Sequence, residues 1–314
     1  MTDQRLLSLL GVVLGALVLG SVAGLISARF ATSEKGKRFA SNLNARMRTW
    51  WIMVGVFAVS ILIGGTTTLV LFALTSFLAF REFATLTPTR RGDHRPLFLA
   101  FFLVLPAQYY FVASGSYGMF SIFIPVYAFI LIPAGMALAG ETDDFLNRTA
   151  RVQWGLLTCV YFISHVPALL TLSIPEYDGS MAILLFFFVL VVQLNDVFQY
   201  VSGTLFGRHK IASSVSPNKT VEGFLGGVVL TSIVAASLAW ATPFHWAAAA
   251  GLAAGLAVMG FLGDLTMSAV KRGLGVKDFA ASLPGHGGVL DRLDSLAFTA
   301  PLFFHVVRFF YASY

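Results

Sequence analysis

The segment "MAILLFFFVLVVQLND", residues 181–196, decides the fold class of this chain. Residues 181–195 contain no charged side chain, and the apolar character resumes after Asp196 as far as residue 203. A helix of about 20 apolar residues crosses the roughly 30 Å of hydrocarbon in a bilayer. The segment therefore predicts a membrane-spanning helix that carries a carboxylate.

The composition of the whole chain indicates the same class. Of its 314 residues, 57% are hydrophobic and only 11% are charged, whereas soluble domains carry roughly 25% charged residues. The single cysteine, Cys159, excludes an intramolecular disulfide and a site built from several thiolates. We therefore expect an integral membrane protein.

Apolar segments recur along the chain and predict an all-α, polytopic protein with about ten spans. The predicted spans are 6–26, 50–64, 66–80, 97–113, 117–139, 154–174, 181–203, 224–242, 246–270 and 293–311. The second and third are short and meet at Gly64 and Gly65, so a re-entrant pair is the alternative. We divide the chain into an N-terminal region of six spans, 1–180, and a C-terminal catalytic region of four spans, 181–314.

Basic residues predict the orientation, because cytoplasmic loops collect Lys and Arg. All of the 21 Lys and Arg residues except Arg5 and Arg308 fall in alternate loops, the largest group in the segment 27–49. Ten spans with both termini outside fit this pattern, in a bacterial inner membrane. The formal net charge of +6 follows from this rule and from anionic lipid surfaces, so we expect no nucleic-acid partner.

Ionisable residues at membrane depth are costly and are functional candidates by default. Asp196 and Asp264 interrupt apolar runs with no basic residue beside them, and Asp291 and Asp294 open the last span. The alternative is that these carboxylates only cap helices or pair with Arg272 and Arg292. On a helix, Asp264, Ser268 and Lys271 would share one face.

The segment "KRGLGVKDFAASLPGHGGVLDR", residues 271–292, places carboxylates among basic residues. Polyphosphates suit such a cluster, because aspartates bind Mg²⁺ while Lys and Arg neutralise phosphate oxygens. Backbone N–H groups at glycines can approach a phosphate closely, and a histidine can donate to it or simply be satisfied by backbone. The candidates here are Lys271, Arg272, Lys277, Gly285, His286, Gly287, Gly288, Asp291 and Arg292.

A second polar segment, "FGRHKIASSVSPNKTVEGFLGG", residues 206–227, repeats this chemistry on the same predicted side. Arg208, Lys210 and Lys219 are candidate phosphate ligands, and Ser216, Asn218 and Thr220 supply hydrogen-bonding groups. The segment lacks the spacing of a Walker A loop, so the soluble nucleotide-binding folds are not indicated. Glu222 caps the following helix or binds a metal.

Residues 268–294, "SAVKRGLGVKDFAASLPGHGGVLDRLD", resemble the signature of the phosphatidate cytidylyltransferases, S-x-x-K-R, K-D and H-G-G-x-x-D-R-x-D, and "SPNKTVEGFLGG" resembles a second stretch of that family. The resemblance implies that phosphatidate attacks CTP at the cytoplasmic face, giving CDP-diacylglycerol and pyrophosphate. It also implies a homodimer. The residue roles that it implies are a metal pair, Mg²⁺ with a second ion such as K⁺, on Asp264 and Asp291; phosphate contacts from Lys219, Lys271 and Arg272; and donors at Ser216 and His286.

The chain also departs from the family pattern. Many members read D-[ST]-x-A-[YF] where this chain has Asp196 followed by Val, Phe, Gln199 and Tyr. A paralogous subgroup with a different lipid substrate would explain the difference. Two other functions stay open, a CTP-dependent lipid kinase and a secondary transporter, although the charges gather at one end of the spans rather than at the midplane.

Overall fold

The structure is a computed structural model that describes residues 4–30, 33–282 and 287–313. Ten helices dominate these residues, so the all-α, polytopic class is confirmed. They are α1 Gln4–Phe30, α2 Glu34–Ile63, α3 Gly65–Leu86, α4 Arg91–Ala113, α5 Tyr117–Leu138, α6 Phe145–Thr171, α7 Met181–Phe206, α8 Val221–Ser237, α9 Trp246–Gly273 and α10 Asp294–Tyr311. Three of them contain a π-helical turn, at Ala100–Val104, Phe123–Ala128 and Leu157–Phe162, and 3₁₀ turns lie at Arg91–Asp93, Leu169–Thr171, Ala239–Ala241 and Leu290–Arg292.

The predicted count of ten spans is not exact. Among the described residues, seven helices are long and apolar enough to cross a membrane, namely α1, α3, α4, α5, α6, α7 and α9. The apolar part of α2 is limited to Met47–Ile63, and α8 is also shorter than a full span. Helix α10 has 18 residues but carries Asp294 in its first turn and Arg308 in its last turn. The apolar segments were placed correctly, but their lengths do not all match the bilayer.

The basic segment 27–49 is mostly helical, although the sequence predicted a loop there. Helix α1 continues to Phe30, and α2 begins at Glu34 after Ser33, whose hydroxyl accepts a hydrogen bond from the N–H of Gly36 at 3.1 Å. Helices α2 and α3 have 30 and 22 residues and are separated only by Gly64. Helices of that length do not fit the re-entrant alternative.

Contacts between loops define two ends of the helix bundle. At one end, which we call the basic end, Arg90 pairs with Asp143 at 2.9 Å, and Glu82 of α3 accepts the N–H of Val289 at 3.0 Å. At the other end, Arg5 pairs with Asp178 at 2.8 Å. Consecutive loops therefore alternate between the ends as the sequence predicted. That the basic end faces the cytoplasm remains a prediction.

The apolar segment 181–196 lies inside the bundle. Residues 183–188 are each at most 3% exposed, and the ring of Phe188 stacks on Phe303 of α10 with centroids 4.8 Å apart. A helix that is apolar on all sides and enclosed by neighbouring helices needs no lipid-facing stripe. Helix α7 is therefore a central helix, and it carries Asp196 to the basic end.

A small β-hairpin follows α7, where the sequence predicted only a loop. Strands β1 Lys210–Ala212 and β2 Ser216–Thr220 are antiparallel, with Lys210 opposite Thr220. Thr220 caps α8, because its hydroxyl accepts the N–H of Gly223 at 3.1 Å. The last residue of the hairpin is thus fixed to the first turn of α8.

Candidate active site

A polar cavity of about 220 Å³ opens at the basic end between β2, α7, α8 and α9. It brings together residues from distant parts of the sequence that were predicted to act at one site. Its lining comprises Asp196, Gln199, Tyr200, Ser216, Asn218, Lys219, Thr220, Gly223, Phe224, Phe261 and Asp264. Six of the predicted site residues therefore share one cavity: Asp196, Ser216, Asn218, Lys219, Thr220 and Asp264.

Lys219 and Asp264 form an ion pair in this cavity. The Nζ of Lys219 lies 2.5 Å from Oδ2 of Asp264 and 4.6 Å from the ring centre of Phe261. The hydroxyl of Ser268 donates to the other oxygen, Oδ1, at 3.2 Å. Asp264 has no basic neighbour in sequence, but the fold supplies one from β2. Both side chains remain partly exposed, at 14% for Lys219 and 32% for Asp264, so the pair is open to a ligand.

A second ion pair, between Lys271 and Asp291, is buried behind the cavity. Lys271 Nζ lies 2.7 Å from Oδ1 of Asp291, whose side chain is 1% exposed. The N–H groups of Phe279 and Gly288 both donate to Oδ2, at 2.8 and 2.9 Å. Asp291 therefore holds three donors and does not line the cavity. Since Lys271 is seven residues after Asp264, the two pairs are on the order of 10 Å apart along α9.

Glu82, near the end of α3, is part of this region; the sequence indicated no role for it, although "REF", residues 81–83, resembles the family. Its buried carboxylate accepts hydrogen bonds from the Ser282 hydroxyl at 2.6 Å and from the N–H groups of Val289 and Leu290 at 3.0 and 2.9 Å. The available signal was a carboxylate beside Arg81 at the end of an apolar span. Nothing in the sequence indicated that its partners lie some 200 residues away.

The glycines of the signature segment are required by these carboxylates. Gly287 has a φ of +79°, and a Cβ on Gly288 would lie 2.3 Å from Oε2 of Glu82. The Gly288 N–H, which we expected to face a phosphate, instead donates to Asp291. His286 and Gly285 lie outside the residues that the structure describes.

The other basic candidates of this segment lie on the surface. Arg272, Lys277 and Arg292 are exposed, and Arg272 donates to the carbonyl of Val276 at 2.9 Å. None of the three lines the cavity. Contact with the phosphates of a bound nucleotide therefore remains a prediction for them.

Two further carboxylates have structural contacts. Glu222, in the first turn of α8, accepts the N–H groups of Arg208 and His209 at 2.9 and 3.2 Å, so it also holds the entry to the hairpin. Asp294 accepts the N–H of Ser295 at 2.9 Å, and the Ser295 hydroxyl donates to Asp196 at 3.0 Å. Ser295 thus links the start of α10 to α7 beside the cavity.

Gln199, the residue at which this chain departs from the family pattern, lines the cavity. Its amide nitrogen is buried and has no hydrogen-bond partner among the described residues. The same holds for the amide nitrogen of Asn195, one turn earlier on α7. Buried polar groups normally have partners, so these amides indicate that a polar ligand or water belongs here.

The chain is similar to one protein family and to several individual relatives. The model of the cytidylyltransferase family matches residues 44–310. The chain is 38% identical to Uncharacterized protein YnbB of Escherichia coli (strain K12) over 284 residues, which cover 90% of this chain and 92% of that protein. It is 44% identical over 128 residues to a phosphatidate cytidylyltransferase of Staphylococcus haemolyticus (strain JCSC1435), and 47% identical over 118 residues to one of Staphylococcus saprophyticus. These two matches cover 40% and 37% of this chain and 48% and 45% of the relatives. The chain belongs to the cytidylyltransferase family.

Proposed function

We propose that the protein transfers a cytidylyl group from CTP to phosphatidate or a related anionic lipid, with formation of CDP-diacylglycerol and pyrophosphate. The observation that carries this proposal is the cavity in which Asp264, Lys219 and Asp196 meet. Family membership supports the cytidylyl chemistry. The names of the two partial relatives support the lipid acceptor.

The reaction joins two anions. A phosphate oxygen of the lipid forms a bond to the α-phosphorus of CTP, and the bond from that phosphorus to the oxygen of the β-phosphate breaks. A phosphate monoester is already nucleophilic at neutral pH, so no protein base is required. Positioning and charge neutralisation therefore supply most of the catalysis.

Lys219 is the side chain best placed to neutralise a phosphate in the cavity. Its ammonium group lies in the cavity between the ring of Phe261 and the carboxylate of Asp264. Lys271, which pairs with buried Asp291, is the second lysine that we propose to neutralise phosphate charge. Ser216 and Thr220 border the cavity on the hairpin side, and the Ser216 hydroxyl is our candidate donor to the nucleotide.

The oxygen donors near the cavity suit Mg²⁺, which is bound by one or two carboxylates together with substrate phosphates. Among the described residues, no three His, Cys, Asp or Glu side chains form a complete metal site, so phosphate oxygens would have to complete the shell. We propose Asp264, which lines the cavity, as the protein ligand of this ion. Asp291, the second ligand predicted from the sequence, pairs with Lys271 about 10 Å away along α9. Its Oδ1 accepts Lys271 and its Oδ2 accepts two N–H groups, so in this arrangement it does not share the ion with Asp264. When bound, Mg²⁺ supplies neutralisation of phosphate charge. A second ion, K⁺ or another Mg²⁺, belongs to the same proposal.

The location of the cavity suits a water-soluble nucleotide and a membrane lipid. It lies at the basic end of an apolar helix bundle, which we propose to be the cytoplasmic face of a bacterial inner membrane. Irregular backbone at membrane depth is tolerated beside protein or a water-filled cavity. The hairpin provides such backbone.

The test uses the purified protein with phosphatidate in mixed micelles, Mg²⁺ and CTP labelled on the α- or the γ-phosphate. We expect only the α-label to enter lipid. Entry of the γ-label would identify a CTP-dependent lipid kinase, and absence of both labels from lipid would contradict enzyme activity on phosphatidate and favour transport. Asp264→Asn should abolish incorporation, and Asp143→Asn, which alters an exposed carboxylate paired with Arg90 at the same end, should retain it.

A further inference from the structure

Glu82 connects the N-terminal half of the chain to the signature segment. It is 8% exposed and lies in the last turns of α3. Its three donors, the Ser282 hydroxyl and the N–H groups of Val289 and Leu290, all belong to the segment between α9 and α10. The ring of Phe83, the next residue, contacts the ring of Phe279 in the same segment. These contacts connect α3 to the segment between α9 and α10, and we call the set formed by Glu82 and its three donors the joint.

Only a carboxylate satisfies this set of donors. A carboxylate is an acceptor at both oxygens, whereas a glutamine amide must turn its NH₂ group toward one donor. Val289 and Leu290 present backbone N–H groups to different oxygens of Glu82. A glutamine would therefore leave one of these N–H groups facing another donor.

The joint is connected to Asp291 through Leu290 and Gly288. Leu290, which donates to Glu82, begins the 3₁₀ turn Leu290–Arg292 that contains Asp291. Gly288 lies between the two carboxylates, since its N–H donates to Asp291 while its α-carbon faces Glu82. Moving Glu82 would shift both the turn and the donor that orient Asp291.

We propose that Glu82 is a positioning residue that fixes Asp291, and with it Lys271, in the geometry of the active site. The proposal rests on the proposed function in that Asp291 is taken as part of the reaction machinery. It assigns to α3, outside the predicted C-terminal catalytic region, a necessary part of the site.

The first arm of the test does not depend on activity. Hydrogen exchange at the amides of Val289 and Leu290 is measured in the full-length protein and in Glu82→Gln, and we expect exchange to accelerate at least about tenfold, because a charge-assisted hydrogen bond is lost. Asp143→Asn is the control, since Asp143 is an exposed carboxylate paired with Arg90 at the same end of the bundle. It should leave these two amides unchanged. Equal exchange in Glu82→Gln and the wild type would overturn the joint itself.

The second arm measures cytidylyl transfer. In Glu82→Gln we expect kcat to fall about tenfold or more while the KM for CTP changes less than about threefold, because positioning rather than nucleotide binding is impaired. Accelerated exchange with unchanged kcat would refute the positioning role. Absence of transfer by the wild type together with accelerated exchange would count against the proposed function and leave the joint intact.

Discussion

Asp264 and Asp291 look equivalent in the sequence, but the structure gives them different surroundings. Asp264 lines the cavity and pairs with a partly exposed lysine, whereas Asp291 is almost completely buried and holds a lysine and two backbone N–H groups. A buried carboxylate that loses its charge leaves its partner charge uncompensated. The two residues should therefore respond differently to the same substitution.

We predict that Asp264→Asn abolishes cytidylyl transfer with little change in thermal stability. Asp291→Asn should abolish transfer and also lower thermal stability. Removing one member of a buried ion pair costs about 3–5 kcal/mol, and the exposed position of Asp264 makes its loss far less costly. Thermal unfolding in detergent, measured beside the activity assay, separates the two effects. Equal unfolding temperatures for Asp291→Asn and the wild type would show that the Lys271–Asp291 pair does not support the fold.

Sequence reasoning found the residues of the cavity but not their pairing. The acidic and basic residue types at Asp264, Lys219 and Asp196 predicted a shared site, and the structure places all three in one cavity; that this site binds a polyphosphate remains a prediction. The partner of Asp264 could not be predicted, because Lys219 reaches it only when β2 lies across α9. For the same reason Glu82 was missed, since its role depends on a contact between segments distant in the sequence.

At the scale of elements, the close packing of α7 against α8 positions the hairpin and its lysine. A Cβ on Gly227 would lie 2.3 Å from Cγ of Gln199, so the two helices approach at a distance that only glycine allows. Gln199 and Thr220 border the cavity on either side of this contact. The width of the cavity thus depends on the helix pair.

We predict that Gly227→Ala destabilises the protein and reduces activity, because overpacking costs about 1–3 kcal/mol. Gly251→Ala is the matched control, as Gly251 is a helical glycine of α9 with open space around its Cβ position. This variant should be neutral or stabilised by up to about 1 kcal/mol, because alanine favours a helix over glycine. Unfolding temperature and transfer rate are measured for both variants, and equal behaviour of the two would contradict the role assigned to the α7–α8 contact.

Element boundaries were harder to predict than element type. The hairpin was missed because its strands have three and five residues and show no clear alternation of apolar and polar side chains. The segment 27–49 was predicted as a loop because its charges mark a membrane boundary, yet charged residues are compatible with a helix that extends beyond the bilayer. Apolar periodicity identifies helices, while the ends depend on caps such as Ser33.

At the scale of the whole molecule, the alternation of basic loops predicted from the sequence agrees with the alternation of loops between the two ends of the bundle. We predict that cysteines replacing Lys37, Arg91 and Lys277 in a Cys159→Ala background are protected from a membrane-impermeant thiol reagent in intact cells. Cysteines replacing Ser114 and Glu176, exposed at the opposite end, should react. Cys159 itself is buried. Labelling at position 277 from outside would place the cavity in the wrong compartment and reverse the orientation.

The division at residue 180 and the homodimer remain predictions of the sequence and its resemblance. The contacts of Glu82 cross that division, so the C-terminal region does not hold its signature segment by itself. A chain cut at this boundary would be expected to lose order at Val289 and Leu290. The boundary therefore separates two regions that differ in sequence character, and not two units that are independent of each other.

In the structure, the ammonium group of Lys219 pairs with the carboxylate of Asp264. A nucleotide in the cavity would add its phosphates as a second anionic partner. A phosphate that attracts the ammonium group away from Asp264 frees a carboxylate oxygen for a cation, and a cation on Asp264 releases the lysine to the phosphate. Each ligand therefore lowers the cost of binding the other, and by thermodynamic reciprocity the two affinities rise by the same factor. If the proposed function is correct, the ion pair would make the cavity selective for a metal and a nucleotide arriving together over either one alone.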